Sequence, residues 1–194
     1  MPRSIRFLRV NLLYLRDVIY TVGHSTRSLE TFRGLLAQHQ VRLLVDVRRY
    51  PASRRYPHFA QEPLAAALAA AGIAYRHDVD LGGRRPARED SPNTAWRSAA
   101  FRGYADYMET AAFEQALARL IVDAPQPSAV MCAEAVPWRC HRQLIADALI
   151  ARGSAVRHIL GAGEARDHEL SPHAQVLAGG RIRYPAPPDQ PSLL

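Results

Sequence analysis

The chain has 194 residues, 48% of them hydrophobic and 22% charged, with a formal net charge of +7. That length and composition suit a globular chain with a sizeable core, and two cysteines are too few for a disulfide scaffold. All 25 basic residues are arginine, which excludes a G-x-x-x-x-G-K phosphate loop and any Schiff-base or lysine general-base mechanism.

Residues 1–18 mix apolar side chains with Arg3, Arg6, Arg9 and Arg16, and no small-residue cleavage site follows. They read as a basic N-terminal extension rather than a signal peptide. From Ile19 to Val22 runs a short β-rich stretch that ends at Gly23-His24-Ser25. Leu29, Phe32, Leu35 and Leu36 have helical spacing, which predicts a helix to His39. Val41 to Val47 is nearly continuously apolar up to Asp46, as a buried parallel strand requires, and Arg48 follows it. Pro51 to Pro57 is a loop, Pro63 to Ala71 a helix stopped by Gly72, and Ile73 to Val79 a third strand.

Arg84 to Thr94, polar and Pro-containing, reads as a mobile loop. One or two helices are expected between Trp96 and Val122, with Tyr104, Met108, Phe113 and Leu117 on the apolar side. Ser128 to Cys132 is a fourth strand, a helix opens near Cys140, and Val156 to Leu160 is a fifth strand. Gly161 to His173 reads as loop, Arg181 to Tyr184 as an edge strand, and residues 186–194 as a proline-rich tail. Residues 19–185 are thus expected to form a single α/β domain. Its fold class is a three-layer α/β/α sandwich with a mostly parallel, Rossmann-like sheet. In such sheets ligands bind beyond the carboxyl ends of the strands.

The residues with chemistry cluster at those ends. Cys132-Ala-Glu134 closes one strand, and Cys140-His141-Arg142 opens the next helix, where a thiol's pKa falls and anions are favoured. Cys140 is a candidate nucleophile and Arg142 an anion anchor. Cys132 taken alone reads as a small core residue, though it belongs to the same candidate site. Asp46 and Arg48 either bind ligand or form a salt bridge at the sheet edge, and the two readings stand side by side. His24 and Ser25 sit where the first strand ends.

Other chemistries fit less well. A tyrosine-phosphatase loop needs five residues between Cys and Arg, whereas six separate Cys132 from Arg139. The seven residues between Cys132 and Cys140 are not a C-x-x-C knuckle, so no metal is expected, although His24 and His141 could complete a zinc set. Gly161-Ala-Gly163 is followed by Arg166 where a dinucleotide loop wants glycine, and no cofactor is named by any motif. Arg54, Arg55, Tyr56, His58 and Phe59 mix cations with aromatics, as a stacking nucleic-acid strand or a solvated loop would.

Taken together, these segments resemble the domain of unknown function 488. The matching stretches are Tyr20 to Ser25, Leu44 to Arg48, Pro51 to Ser53 with Pro57 to Phe59, Gly72 to Tyr75, Leu81 to Gly83, Phe101 to Tyr104, Cys132-Ala-Glu134 with Cys140-His141-Arg142, and His158-Ile159. The Cys-x-Glu…Cys-His-Arg element is the most specific of them. The resemblance implies a compact bacterial or archaeal α/β domain and carries no reaction, cofactor or catalytic assignment.

The residues themselves point first to an enzyme acting on a phosphate-bearing substrate, a nucleotide or nucleic acid. Glu134 is then the general acid or base, Arg48 and Arg142 clamp the anion, and His24 or His141 assists proton transfer. A non-catalytic nucleotide- or nucleic-acid-binding module and a thiol-based redox sensor are the alternatives. The expected partners are an anionic small molecule or nucleic acid. No uninterrupted apolar run approaches the ~20 residues of a membrane helix, so no membrane partner and a cytoplasmic location with two free thiols are expected.

Overall fold

Strand order explains most of the architecture. The computed structural model describes residues 18–125 and 127–186. The basic extension and the proline-rich tail lie outside them, apart from Val18 and Ala186. The main sheet runs β3 (Ala74–His77), β2 (Leu43–Asp46), β4 (Ser128–Cys132), β1 (Val18–Gly23), β5 (Ala155–Ile159), β6 (Arg166–Asp167). The first five strands are parallel, and β6 pairs antiparallel with β5.

Side chains alternate across this sheet and are buried on both faces. Ile19, Val45, Val130 and Val156 point to one face, where they meet α3 (Ala99–Tyr107), α4 (Ala111–Val122) and α5 (Arg142–Ile150). Tyr20, Val22, Leu44 and Met131 point to the other, against α1 (Leu29–Gln38) and α2 (Gln61–Ala69). The result is a three-layer α/β/α sandwich of Rossmann-like type. Side-chain caps start two of the helices: Ser28 accepts from the Thr31 N–H and Thr110 from the Phe113 N–H. No described helix is long and apolar enough to cross a membrane.

The topology positions the site. Strands β1 and β4 are neighbours, yet the helices that follow them, α1 and α5, lie on opposite faces. That is a topological switch point, with a crevice at the strands' carboxyl ends. Register brings those ends level, because Gly23 pairs with Cys132 and Asp46 with Met131.

Three expectations change. Arg181 to Tyr184 is not an edge of the main sheet. Its strand β8 (Ile182–Arg183) pairs with β7 (Gln175–Val176) in a separate ribbon. The edge is β6, inside the segment read as loop, and two residues are too short to show a period. The polar segment 84–94 has no regular element, as read, but it is pinned. The Asp106 carboxylate accepts from Arg88 N (2.8 Å), Ser91 Oγ (2.5 Å) and Asn93 Nδ2 (2.9 Å), and Asn93 is fully buried.

Candidate functional site

A tight junction at the end of β1 builds the first wall. The His24 and Ser25 N–H groups donate to the carbonyls of Cys132 (3.0 Å) and Ala133 (2.9 Å), so strand-like pairing continues into the Cys-Ala-Glu segment. Ser25 turns the chain at φ 49°. Gly23 is needed for the approach, because a Cβ there would lie 1.9 Å from the Glu134 carbonyl oxygen.

Behind this wall lies a buried ion pair. Arg48 donates from Nε to Asp46 Oδ1 at 2.9 Å, and its guanidinium and the Tyr75 hydroxyl (2.7 Å) both engage Oδ2. Asp46 is fully enclosed and Arg48 nearly so. Burial pulls the Arg48 pKa down, but the hydrogen bonds and charge of Asp46 outweigh it and the net shift is upward. Arg48 Nη1 lies 3.4 Å from His24 Nε2, while His24 Nδ1 donates to the Ser25 carbonyl at 3.0 Å. These partners make His24 a neutral ring with its proton on Nδ1. Burial first, then the Arg48 charge, lowers its pKa to about 4. Phe59 stacks on the ring at 4.3 Å between centroids.

The floor carries the thiols. His141 Nε2 lies 3.1 Å from the Val47 carbonyl, which can only accept, so that nitrogen carries the proton. Nδ1 is left facing Cys140 Sγ at 3.6 Å. Cys132 Sγ, Cys140 Sγ and one His141 nitrogen all lie within 4.8 Å of one another. Both cysteines are free. The Cys140 thiol is pushed well down, chiefly by the hydrogen bond with Cys132, with help from His141 and Arg142. The Cys132 thiol is pushed up by that same bond and by burial. The pair therefore releases one proton readily and holds the other.

Arg142 opens α5 but does not face the crevice. It is fully buried, donating to Thr21 Oγ1 (3.3 Å) and to the Glu134 carbonyl. It pairs neither with the Glu134 carboxylate, the structural option, nor with the space a ligand would fill. The Glu134 carboxylate stays exposed, accepts from the Ala135 N–H at 3.2 Å, and makes no ion pair among the described residues.

Above this floor opens a cleft of about 680 Å³. Of the residues singled out in the sequence, His24, Ser25, Arg48, Cys132, Glu134, Cys140 and His141 line it, Asp46 stands behind Arg48, and Arg142 lies beneath. Arg49, Arg84, Arg139, Phe101 and Tyr104 also line it, and none of them was read as a site residue from the sequence. Arg55 and Tyr56 of the cation-aromatic loop also reach it. Five arginines thus face the cleft against a single carboxylate, that of Glu134.

The family model described as domain of unknown function DUF488 matches residues 28–149. That span runs from the cap of α1 to nearly the end of α5 and contains every cleft residue except the β1 turn. No curated protein and no solved structure matches the chain.

Proposed function

Starting from the fact that this chain belongs to the domain of unknown function 488 family, we propose that it is an enzyme acting on a phosphate-bearing substrate, a nucleotide or nucleic acid. The observation that carries this reading is the cleft's charge: five arginines line it, and with Asp46 offsetting Arg48 from behind, the other four face the one carboxylate of Glu134, directly above two thiols and a histidine. Arginine forks bind phosphate oxygens bidentately. Arg48, held rigid by Asp46, and the exposed Arg139 are the anion clamps. Tyr50, Tyr56 and Phe101 offer faces for a base or sugar. Glu134 is the general acid or base, because it is the one carboxylate on the wall and no arginine neutralises it. The Cys132–Cys140–His141 cluster supplies the reactive group.

Titration with inorganic phosphate and nucleoside monophosphates tests the binding step. Arg139→Ala should weaken binding roughly 10- to 100-fold, the worth of one charge-assisted hydrogen bond. Wild type that binds none of these anions overturns the reading. Glu134→Gln separates an enzyme from a non-catalytic binding module: an enzyme keeps its ligand and loses turnover. The nearness of the two thiols also favours a redox sensor, for which peroxide should convert both thiols to a disulfide and change ligand affinity.

A further inference from the structure

We propose that Cys132, Cys140 and His141 form a binding site for one thiophilic divalent cation of the zinc type, with its fourth coordination position open to the arginine-lined cleft. The inference rests on the substrate reading only for what the open position would meet.

Three observations carry it. The first is spacing. A tetrahedral ion with bonds of about 2.3 Å to sulfur and about 2.0–2.1 Å to nitrogen sets S···N edges at about 3.6 Å and S···S edges near 3.8 Å. Cys140 Sγ and His141 Nδ1 are 3.6 Å apart, and all three donor atoms lie within 4.8 Å of one another. The second is orientation. A ligating histidine almost always donates its other ring N–H to a fixed acceptor, which holds the tautomer and aims the lone pair. His141 does so, through Nε2 to the Val47 carbonyl at 3.1 Å. The third is packing: Gly83 stands against the ring, where a Cβ would come within 2.8 Å of Nδ1, so a glycine there lets the ring keep this position.

The seven residues between the cysteines argued against a metal because local knuckles use shorter gaps. Topology removes that objection. Cys132 ends β4, Cys140 precedes α5, and the intervening loop, with a single 3₁₀ turn at Pro137–Arg139, leaves the two sulfurs within 4.8 Å of each other. His24 is not the fourth ligand, because both its nitrogens are engaged, by Ser25 and Arg48. Three protein ligands and one open position mark a site that takes water or a substrate oxygen, rather than a closed structural one. Glu134 follows the Cys132 ligand by two residues. A carboxylate at that spacing serves the metal-bound water in hydrolytic zinc sites of the Cys/His type.

The test uses the full chain, stripped with chelator under reductant and titrated with Co²⁺ and Zn²⁺. One equivalent of Co²⁺ should give thiolate-to-cobalt charge-transfer absorption with the d–d pattern of a tetrahedral site, and Zn²⁺ should displace it. Zn²⁺ should also slow alkylation of both thiols. Cys132→Ser, Cys140→Ser and His141→Gln should each weaken binding by more than the roughly 10- to 100-fold cost of losing an outer-shell partner. Circular dichroism identifies a variant that fails to fold, and thiol protection in the wild type then decides alone. Absence of charge-transfer absorption, or alkylation unaffected by Zn²⁺, overturns the site. Arg139→Ala should keep Co²⁺ and weaken phosphate binding roughly 10- to 100-fold. In the wild type, metal without anion binding sinks the substrate reading, and anion without metal binding sinks this one.

Discussion

The guanidinium of Arg142 donates to the backbone carbonyl of Glu134, while the Glu134 carboxylate accepts only from the Ala135 N–H and makes no ion pair among the described residues. One residue thus holds the loop while the other is available for chemistry, and their substitutions should separate. Arg142→Met removes the donor to Glu134 and to Thr21 from a fully buried position. It should cost about 3 kcal/mol or more, because two acceptors lose their partner inside the protein. Glu134→Gln touches one exposed side chain and should change stability by no more than about 0.5 kcal/mol. Urea unfolding of both variants checks the contrast. Equal losses would mean that the carboxylate is structural as well.

Asp46 is the second point of leverage. Its carboxylate is shared by Arg48 and Tyr75. Asp46→Asn leaves the Arg48 cation buried without its counter-charge, a change of about 3–5 kcal/mol. The same substitution frees the guanidinium to turn away, so phosphate affinity should fall along with stability. Stability that holds while affinity drops would show that the pair serves the ligand alone.

A directional relay crosses the core from Arg142. Its Nη1 donates to Thr21, the Thr21 hydroxyl meets His158 Nδ1 at 2.7 Å, and His158 Nε2 meets His168 Nδ1 at 2.9 Å. His168 Nε2 ends the relay on Asp147 at 2.8 Å. Burial first, then His168 and Arg142, lowers the His158 pKa from 6.5 to about 3. A folded pKa below the unfolded value means that the unfolded chain binds the extra proton. Stability from this group is therefore complete above about pH 6.5 and drains as pH falls toward 3. The slope is about 1.4 kcal/mol per pH unit. Chemical denaturation at intervals between pH 4.5 and 6 should show a steeper decline for wild type than for His158→Gln, by about that slope. Parallel curves would place the proton elsewhere.

Much of the fold was legible because period and length agree. Val41 to Val47 reads as a buried strand, and the Leu29–Leu36 stripe as a helix, from local pattern alone. The alternation of buried apolar runs with helical stripes gave βαβ units and a mostly parallel sheet, in which the ends of β1, β2 and β4 lie side by side. The two-residue strands β6 and β8 left no pattern to read. The site was half legible. Cys132, Glu134, Cys140 and His141 stood out by residue type, but the direction of Arg142 was not readable, because the first turn of a helix can point a side chain outward or into the core. Nothing local marks Arg49 and Arg84, and Arg139 stood out only as a misplaced phosphatase-loop arginine, since only the meeting of three loops puts them round one cleft. The loop 84–94 seemed mobile because its anchor, Asp106, is on a helix further along the chain.

Two glycines allow a last, controlled comparison. At Gly72, φ is +71° and a Cβ would meet nothing within 4 Å, so Gly72→Ala carries only the backbone cost of a left-handed residue, about 1 kcal/mol. At Gly83 the backbone is ordinary and the space is not. A Cβ there would fall 2.8 Å from His141 Nδ1 and 3.1 Å from Cε1. The ring cannot swing freely, because Nε2 is bonded to Val47 and Tyr104 packs against the ring at 4.9 Å between centroids. Gly83→Ala must therefore displace the imidazole, at the 1–3 kcal/mol typical of overpacking. Gly72→Ala should lose a similar amount of stability and leave the reactivity of Cys140 toward iodoacetamide unchanged. Gly83→Ala should shift the pH dependence of that alkylation, because displacing the ring alters its 3.6 Å contact with Cys140. If both variants alkylate like wild type across the pH range, His141 is not what tunes the thiol.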